Sequence, residues 1–208
     1  MKATSKPRRT QAERSAATQA RILEAAQFLI VDQGLAHTST QDIARQARVS
    51  RGAMLHHFPS RKELIQAAYA EMLRKEAYLL RSFTRTLQPG QNRLKALTEY
   101  IWERYQSGIF QVSMDYLSEA RVNESELAYV AAESQKFNEA LNDVWHIELA
   151  AFGCGADIRQ AMMNEFMCLV RGMAFQSQWR DDPAYFQNML QNWLLRARST
   201  LIPAKTAE

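Results

Sequence analysis

Apolar side chains recur along this chain at three- and four-residue steps, and no stretch alternates convincingly with the period of a strand. Ile22, Ala25, Ala26, Leu29 and Ile30 mark the inner face of a first helix from about Ala12 to Gln33, and Gly34 supplies its stop. The run "HTSTQD" offers hydroxyls and Asp42 to cap a short second helix, Thr40 to Ala47, whose Ile43 and Ala44 turn inward. After the link "RVS" a third segment covers Arg51 to Phe58. Pro59 discourages its continuation, and Ser60 followed by Glu63 reads as a capping box. The helix it opens runs through Leu64, Ala68, Met72, Leu79 and Phe83.

Beyond "QPG" at 88–90 the pattern predicts helices over roughly 91–106, 109–120, 124–152, 157–179 and 183–201, richer in large aromatics and methionine. The expected fold is all-α, with about nine helices. A basic flexible tail (1–9) precedes a three-helix domain (10–62) and a larger helical domain (63–202).

Composition narrows the class. A hydrophobic content of 47% supports a folded core, and no apolar run reaches the roughly 18 residues that a membrane span requires. The basic N-terminus leads into a segment with no signal-peptide core, so a cytoplasmic location is expected. Cys154 and Cys168 are too few and too late for a disulfide framework or a zinc site, and they read as incidental or buried thiols. Neither metal nor cofactor is expected. Charge is segregated: residues 1–62 hold 11 Lys and Arg against four acids, a net +7, while the remainder holds 15 against 18, a net −3. A basic head on a mildly acidic body points to a polyanion as the head's partner.

Two short helices joined by a tight link after a longer helix form a helix-turn-helix, whose second helix enters the DNA major groove. Met54 and Phe58, four residues apart, point toward the small core, leaving Arg51, Gly52, Ala53, Leu55 and His56 near the outer face. Gly52 lets backbone approach DNA closely, and Arg51 suits a guanine edge or a phosphate. Thr38, Ser39, Thr40 and Gln41 offer donors to phosphate oxygens, as do Arg61 and Lys62 at the start of the fourth helix. His56 and His57 are adjacent, so on a helix they diverge by roughly 100° and do not converge on one ion. No nucleophile or orienting acid accompanies them, so no enzyme is expected.

From Arg21 to Tyr69 the chain resembles the N-terminal domain of TetR-type transcriptional regulators: a helix ending at Gly, then "TST", "DIA", "VSRGAMLHHF" and "SRKEL". Three residues depart from that pattern. His37 replaces an aromatic. Arg48 stands where Gly is usual, adding charge near the phosphate backbone while removing a residue that tolerates positive φ. Leu55 occupies the place of a phosphate-binding Tyr. In this alignment His57 matches the family's His, shared between phosphate and packing, and His56 is its DNA-facing neighbour.

The resemblance implies a ligand-binding and dimerising second domain. Trp102, Tyr105, Phe110, Met114, Phe137, Trp145, Phe166 and Phe175 are the large apolar groups that would line its pocket, with Arg171 as a polar member and Glu119 and His146 as further polar groups nearby. They suit a small, largely apolar or aromatic effector. Residues 157–201 would pair two copies, through the stripes Ile158, Met162, Phe166, Leu169, Val170, Met173 and Phe186, Met189, Leu190, Trp193, Ala197. The expected protein is a homodimeric, ligand-responsive regulator of a palindromic double-stranded DNA operator, most simply a repressor. An activator, a ligand-independent regulator and a protein-binding adaptor without DNA are the alternatives.

Overall fold

The computed structural model describes residues 10–201; the basic tail at 1–9 and Ile202 of the expected second domain lie outside the described residues. Among these, nine α-helices follow one another with no strand: α1 Gln11–Gln33, α2 Thr40–Gln46, α3 Arg51–His57, α4 Arg61–Thr84, α5 Arg93–Gln106, α6 Ile109–Ala120, α7 Glu124–Glu148, α8 Ala156–Gln176 and α9 Pro183–Leu201. A single 3-10 turn, Ala150–Phe152, follows α7, so the helix expected to reach 152 ends four residues early. Two compact units divide between Met72 and Leu73, inside α4 rather than at its start.

In the first unit the caps are local and legible. Thr10 and Glu13 close a reciprocal capping box on α1, and Gly34 ends that helix at φ 85°. Ser39 accepts from the Asp42 N–H to start α2, and Ser50 accepts from the Ala53 N–H to start α3. Ile22, Ala26, Ile30, Leu35, Ile43, Met54, Phe58, Leu64 and Ala68 are buried, which explains the boundary: the first turns of α4 complete this core. Gln27 Nε2 donates to the Ala68 carbonyl at 3.2 Å and fastens α1 to α4.

The second unit is an aromatic and methionine-rich helical bundle. Phe166 lies 4.8 Å from Trp193 and 5.8 Å from Trp145, ring centre to ring centre, and Trp102 lies 5.4 Å from Phe186. Met162, Met163, Met167 and Met173 fill the space around these rings, as an unbranched thioether does well. Pro183 opens α9 at the one helical position where its missing N–H costs nothing.

Candidate nucleic-acid interface

The third helix sorts its side chains as a recognition helix must. Met54 and Phe58 are buried, Arg51, Gly52, Ala53, Leu55 and His56 are exposed, and His57 is half-buried. Among the described residues a Cβ on Gly52 would meet only Ser50 Oγ, at 4.0 Å, so none of them demands a glycine there. The His56 and His57 rings stand edge-on with centres 5.5 Å apart, neighbours on different parts of one surface.

The flanking residues divide. Gln41 and Lys62 are exposed and Thr40 is half-buried. Ser39 is engaged in capping, and its hydroxyl donates to Asp42 Oδ2 at 2.5 Å, which holds the Asp42 carboxyl below its ordinary value. Asp42 also pairs with Arg45.

Thr38 is a correction: it is 1% exposed, and its hydroxyl donates to the Gly34 carbonyl at 2.8 Å. The turn after α1 leaves that carbonyl unpaired, so the hydroxyl serves the turn and is not presented to a phosphate. Arg61 is redirected for the same reason, donating through Nη2 to the Leu35 carbonyl (2.8 Å) and through Nε to the Thr38 carbonyl (3.4 Å). It ties the α1–α2 loop to the start of α4.

Arg48 takes φ 55°, the one positive value at a non-glycine among the described residues. The Val49 N–H donates to the Ala44 carbonyl at 3.0 Å and the Arg48 N–H to the Arg45 carbonyl at 3.1 Å. That pair of bonds is a Schellman motif, and Arg48 holds the left-handed position that glycine usually fills.

In the second unit the expected pocket residues do not share one environment. Trp102, Trp145 and Phe166 are core, with the Trp145 N–H donating to the Arg159 carbonyl at 2.9 Å. Tyr105 and Phe110 pack together at 5.5 Å, and Phe137 lies half-buried against the core. Arg171 Nη2 donates to Asn138 Oδ1 at 3.1 Å. His146 Nε2 pairs with Gln160 Oε1, and Glu119 is exposed. Met114 and Phe175 are corrections, because both face outward; Phe175 is 54% exposed and lies edge-on to exposed Trp179. Their helical phase sets them opposite the buried residues of α6 and α8.

The stripe expected to pair two copies is likewise mostly intramolecular. Met162, Phe166, Val170 and Met173 of α8 and Phe186, Leu190, Trp193 and Ala197 of α9 are buried in this one chain. The exposed face of α8 is the other one, with Ile158, Ala161, Cys168, Gly172 and Phe175 at steps of three, four or seven; Trp179 is exposed in the turn that follows, and Leu195 is exposed on α9.

A solvent-facing α3 carrying Arg51 and His56, on a three-helix core with capped α2, defines a helix-turn-helix DNA-binding protein. Residues 22–68 match the model of the bacterial regulatory proteins of the tetR family. The chain is 27% identical over 191 residues to the HTH-type transcriptional regulator CymR of Pseudomonas putida, covering 92% of this chain and 94% of that one. It is 39% identical over 75 residues to the HTH-type transcriptional regulator TtgR, also of Pseudomonas putida, 36% of this chain and 35% of that one. The fold matches a TetR transcriptional regulator from Legionella pneumophila with a TM-score of 0.68 at 17% identity, covering 92% and 99% of the two chains. Over residues 22–68 the chain thus carries a helix-turn-helix of the tetR type, and along most of its length it is similar to a transcriptional regulator. Among the described residues no helix is long and apolar enough to cross a membrane.

Proposed function

We propose that the protein is a homodimeric, cytoplasmic repressor that leaves a palindromic operator when a small, largely apolar effector binds its second unit. The observation that carries the reading is the continuity of α4. Its first turns are built into the core of the DNA-binding unit, and its last turns are clamped to α5. Glu76 holds Arg104 through two hydrogen bonds, and Phe83 stacks on Tyr100 with ring centres 4.0 Å apart. A shift of α5 is therefore carried by an unbroken helix into the unit that bears α3, and differential effector affinity for the two positions supplies the coupling.

Two features support an effector and a second copy. Trp193 Nε1 and Arg159 Nε are buried with no hydrogen-bond partner among the described residues, a state that costs roughly 1–3 kcal/mol per group. A ligand with a carbonyl or similar acceptor relieves that cost. Gly172 sits mid-helix on the exposed face of α8 with open space around its missing Cβ. Glycine there costs about 0.5–1 kcal/mol relative to alanine with no internal benefit, which suits close approach by a partner helix. One head reads few base pairs, so pairing two heads about 34–36 Å apart multiplies discrimination.

The test is an electrophoretic shift on the DNA upstream of the protein's own gene, with mass measurement in solution and a promoter-reporter assay. A dimer that shifts this DNA, silences the reporter and loses both effects with Arg51→Ala and His56→Ala is the expected result. Unchanged specific binding in both variants sinks the assignment, and reporter stimulation by the bound protein replaces repression with activation.

A further inference from the structure

The DNA-binding unit has an open cleft of about 380 Å³ between α1 and the α2–α3 turn. Arg21, Glu24 and Phe28 line it from α1, Gln46 from the end of α2 and Arg48 from the turn. The residue at its edge is the strained one. A left-handed backbone at Arg48 is required by the Schellman bonds to Ala44 and Arg45, and glycine would adopt it freely. Backbone geometry thus argues against an arginine, and the reason for one lies in its side chain.

That side chain has no hydrogen-bond or ion-pair partner among the described residues. Among the described residues the Arg21 guanidinium makes one long contact, 3.5 Å to Thr18 Oγ1. Two weakly engaged guanidinium forks lining one cleft match the oxygens of a phosphate, which arginine recognises with two parallel donors. Arg48 precedes α3 by three residues, which sets the cleft beside the start of the helix that this reading lays on DNA. Phe28, 55% exposed, adds an apolar wall of the kind a deoxyribose ring can rest on.

We infer that the cleft takes a phosphodiester of the DNA backbone between Arg21 and Arg48, a grip separate from the contacts of α2, α3 and α4. The inference rests on α3 being the DNA-contacting helix. Glu24 is the counterweight in the cleft; its carboxylate repels the phosphate and limits sequence-independent binding.

The experiment measures affinity between 50 and 200 mM salt for two duplexes, one selected by the protein from a random library and one scrambled. Wild type is compared with Arg48→Gly, Arg21→Gln and Glu24→Gln. The two arginine variants should weaken binding to both duplexes by one common factor, roughly five- to tenfold, each flattening the log–log salt slope by about 0.9. Glu24→Gln should tighten binding to both. Thermal melting accompanies each variant, and since Arg48→Gly relieves strain, its lost affinity is not a folding defect. An unchanged slope in Arg48→Gly overturns the inference.

A free phosphate compound presents the same chemistry and is read separately. Inorganic phosphate is titrated onto DNA-free protein while the Arg48 side-chain resonance is followed. Saturation there, with DNA affinity indifferent to Arg48→Gly, assigns the cleft to a free anion and overturns the backbone contact. Failure of wild type to prefer its selected duplex strikes at the operator reading alone, because the slope comparison still reports on the cleft.

Discussion

Arg104 grips Glu76 side-on, Nε to Oε2 at 2.8 Å and Nη2 to Oε1 at 2.6 Å, joining α5 to the second half of α4. The hydrogen bonding to Glu76 raises the Arg104 pKa above its already high ordinary value. The Glu76 side chain is 10% exposed and that of Arg104 31%, so the pair lies between the weak surface case and the costly buried one. Arg104→Ala should destabilise the protein by about 2 kcal/mol, a loss of roughly 4–8 °C in melting temperature. Adding Glu76→Leu should recover most of that loss, because the uncompensated carboxylate is then gone. Calorimetry of the two variants decides it, and the double variant should respond weakly to effector if the clamp transmits the signal.

Arg48→Gly should raise stability even as it weakens DNA binding. Releasing a left-handed non-glycine residue is worth about 1 kcal/mol, or roughly 2–4 °C. Arg48→Ala keeps the strain and loses the guanidinium, so it should weaken DNA binding without the gain in melting temperature. Equal melting temperatures for wild type and Arg48→Gly would show that the turn bears no strain.

Arg51 and Lys62 should separate by kind of loss. Arg51→Ala should cost about 1–3 kcal/mol on the preferred duplex and relax discrimination at one base position. Lys62→Ala should weaken all duplexes alike and lower the salt slope by about 1. Titrations on matched and single-mismatch duplexes distinguish the two patterns.

Thr38→Val should act on stability and not on recognition. It removes the hydroxyl bond to the Gly34 carbonyl at a buried site, a loss of roughly 1–2 kcal/mol. Specific DNA affinity, corrected for the folded fraction, should stay within twofold of wild type.

Alkaline stability should depend on Tyr100. Burial raises its phenol above the ordinary value of 10.0 by disfavouring the phenolate. The folded state therefore binds the proton more tightly than the unfolded chain, and the stability this supports is complete below about pH 10. It is lost as pH climbs through the raised value. Tyr100→Phe should lessen the fall in denaturant midpoint above pH 10 and leave the slope at neutral pH unchanged.

Much of this molecule is legible in one dimension. The starts of α2 and α3, the stop at Gly34, and the inward Met54 and Phe58 against outward Arg51 and His56 follow from bonds and periodicities within a few residues. Even the demand for positive φ at Arg48 is local, because the Schellman bonds span only Ala44 to Val49. Tertiary structure decided what depends on partners distant in the chain. Arg61 looks like a phosphate donor until the Leu35 carbonyl, 26 residues away, takes its guanidinium. The pairing of Glu76 with Arg104, across 28 residues, carries no periodic signal, since each lies on a different helix. The α8 stripe shows the limit most clearly: periodicity places Phe166 and Met173 on one face and Cys168 and Phe175 on another, and both faces hold apolar groups. Which one the chain buries depends on where Trp145, Trp193 and α9 arrive, and only the assembled bundle supplies that choice.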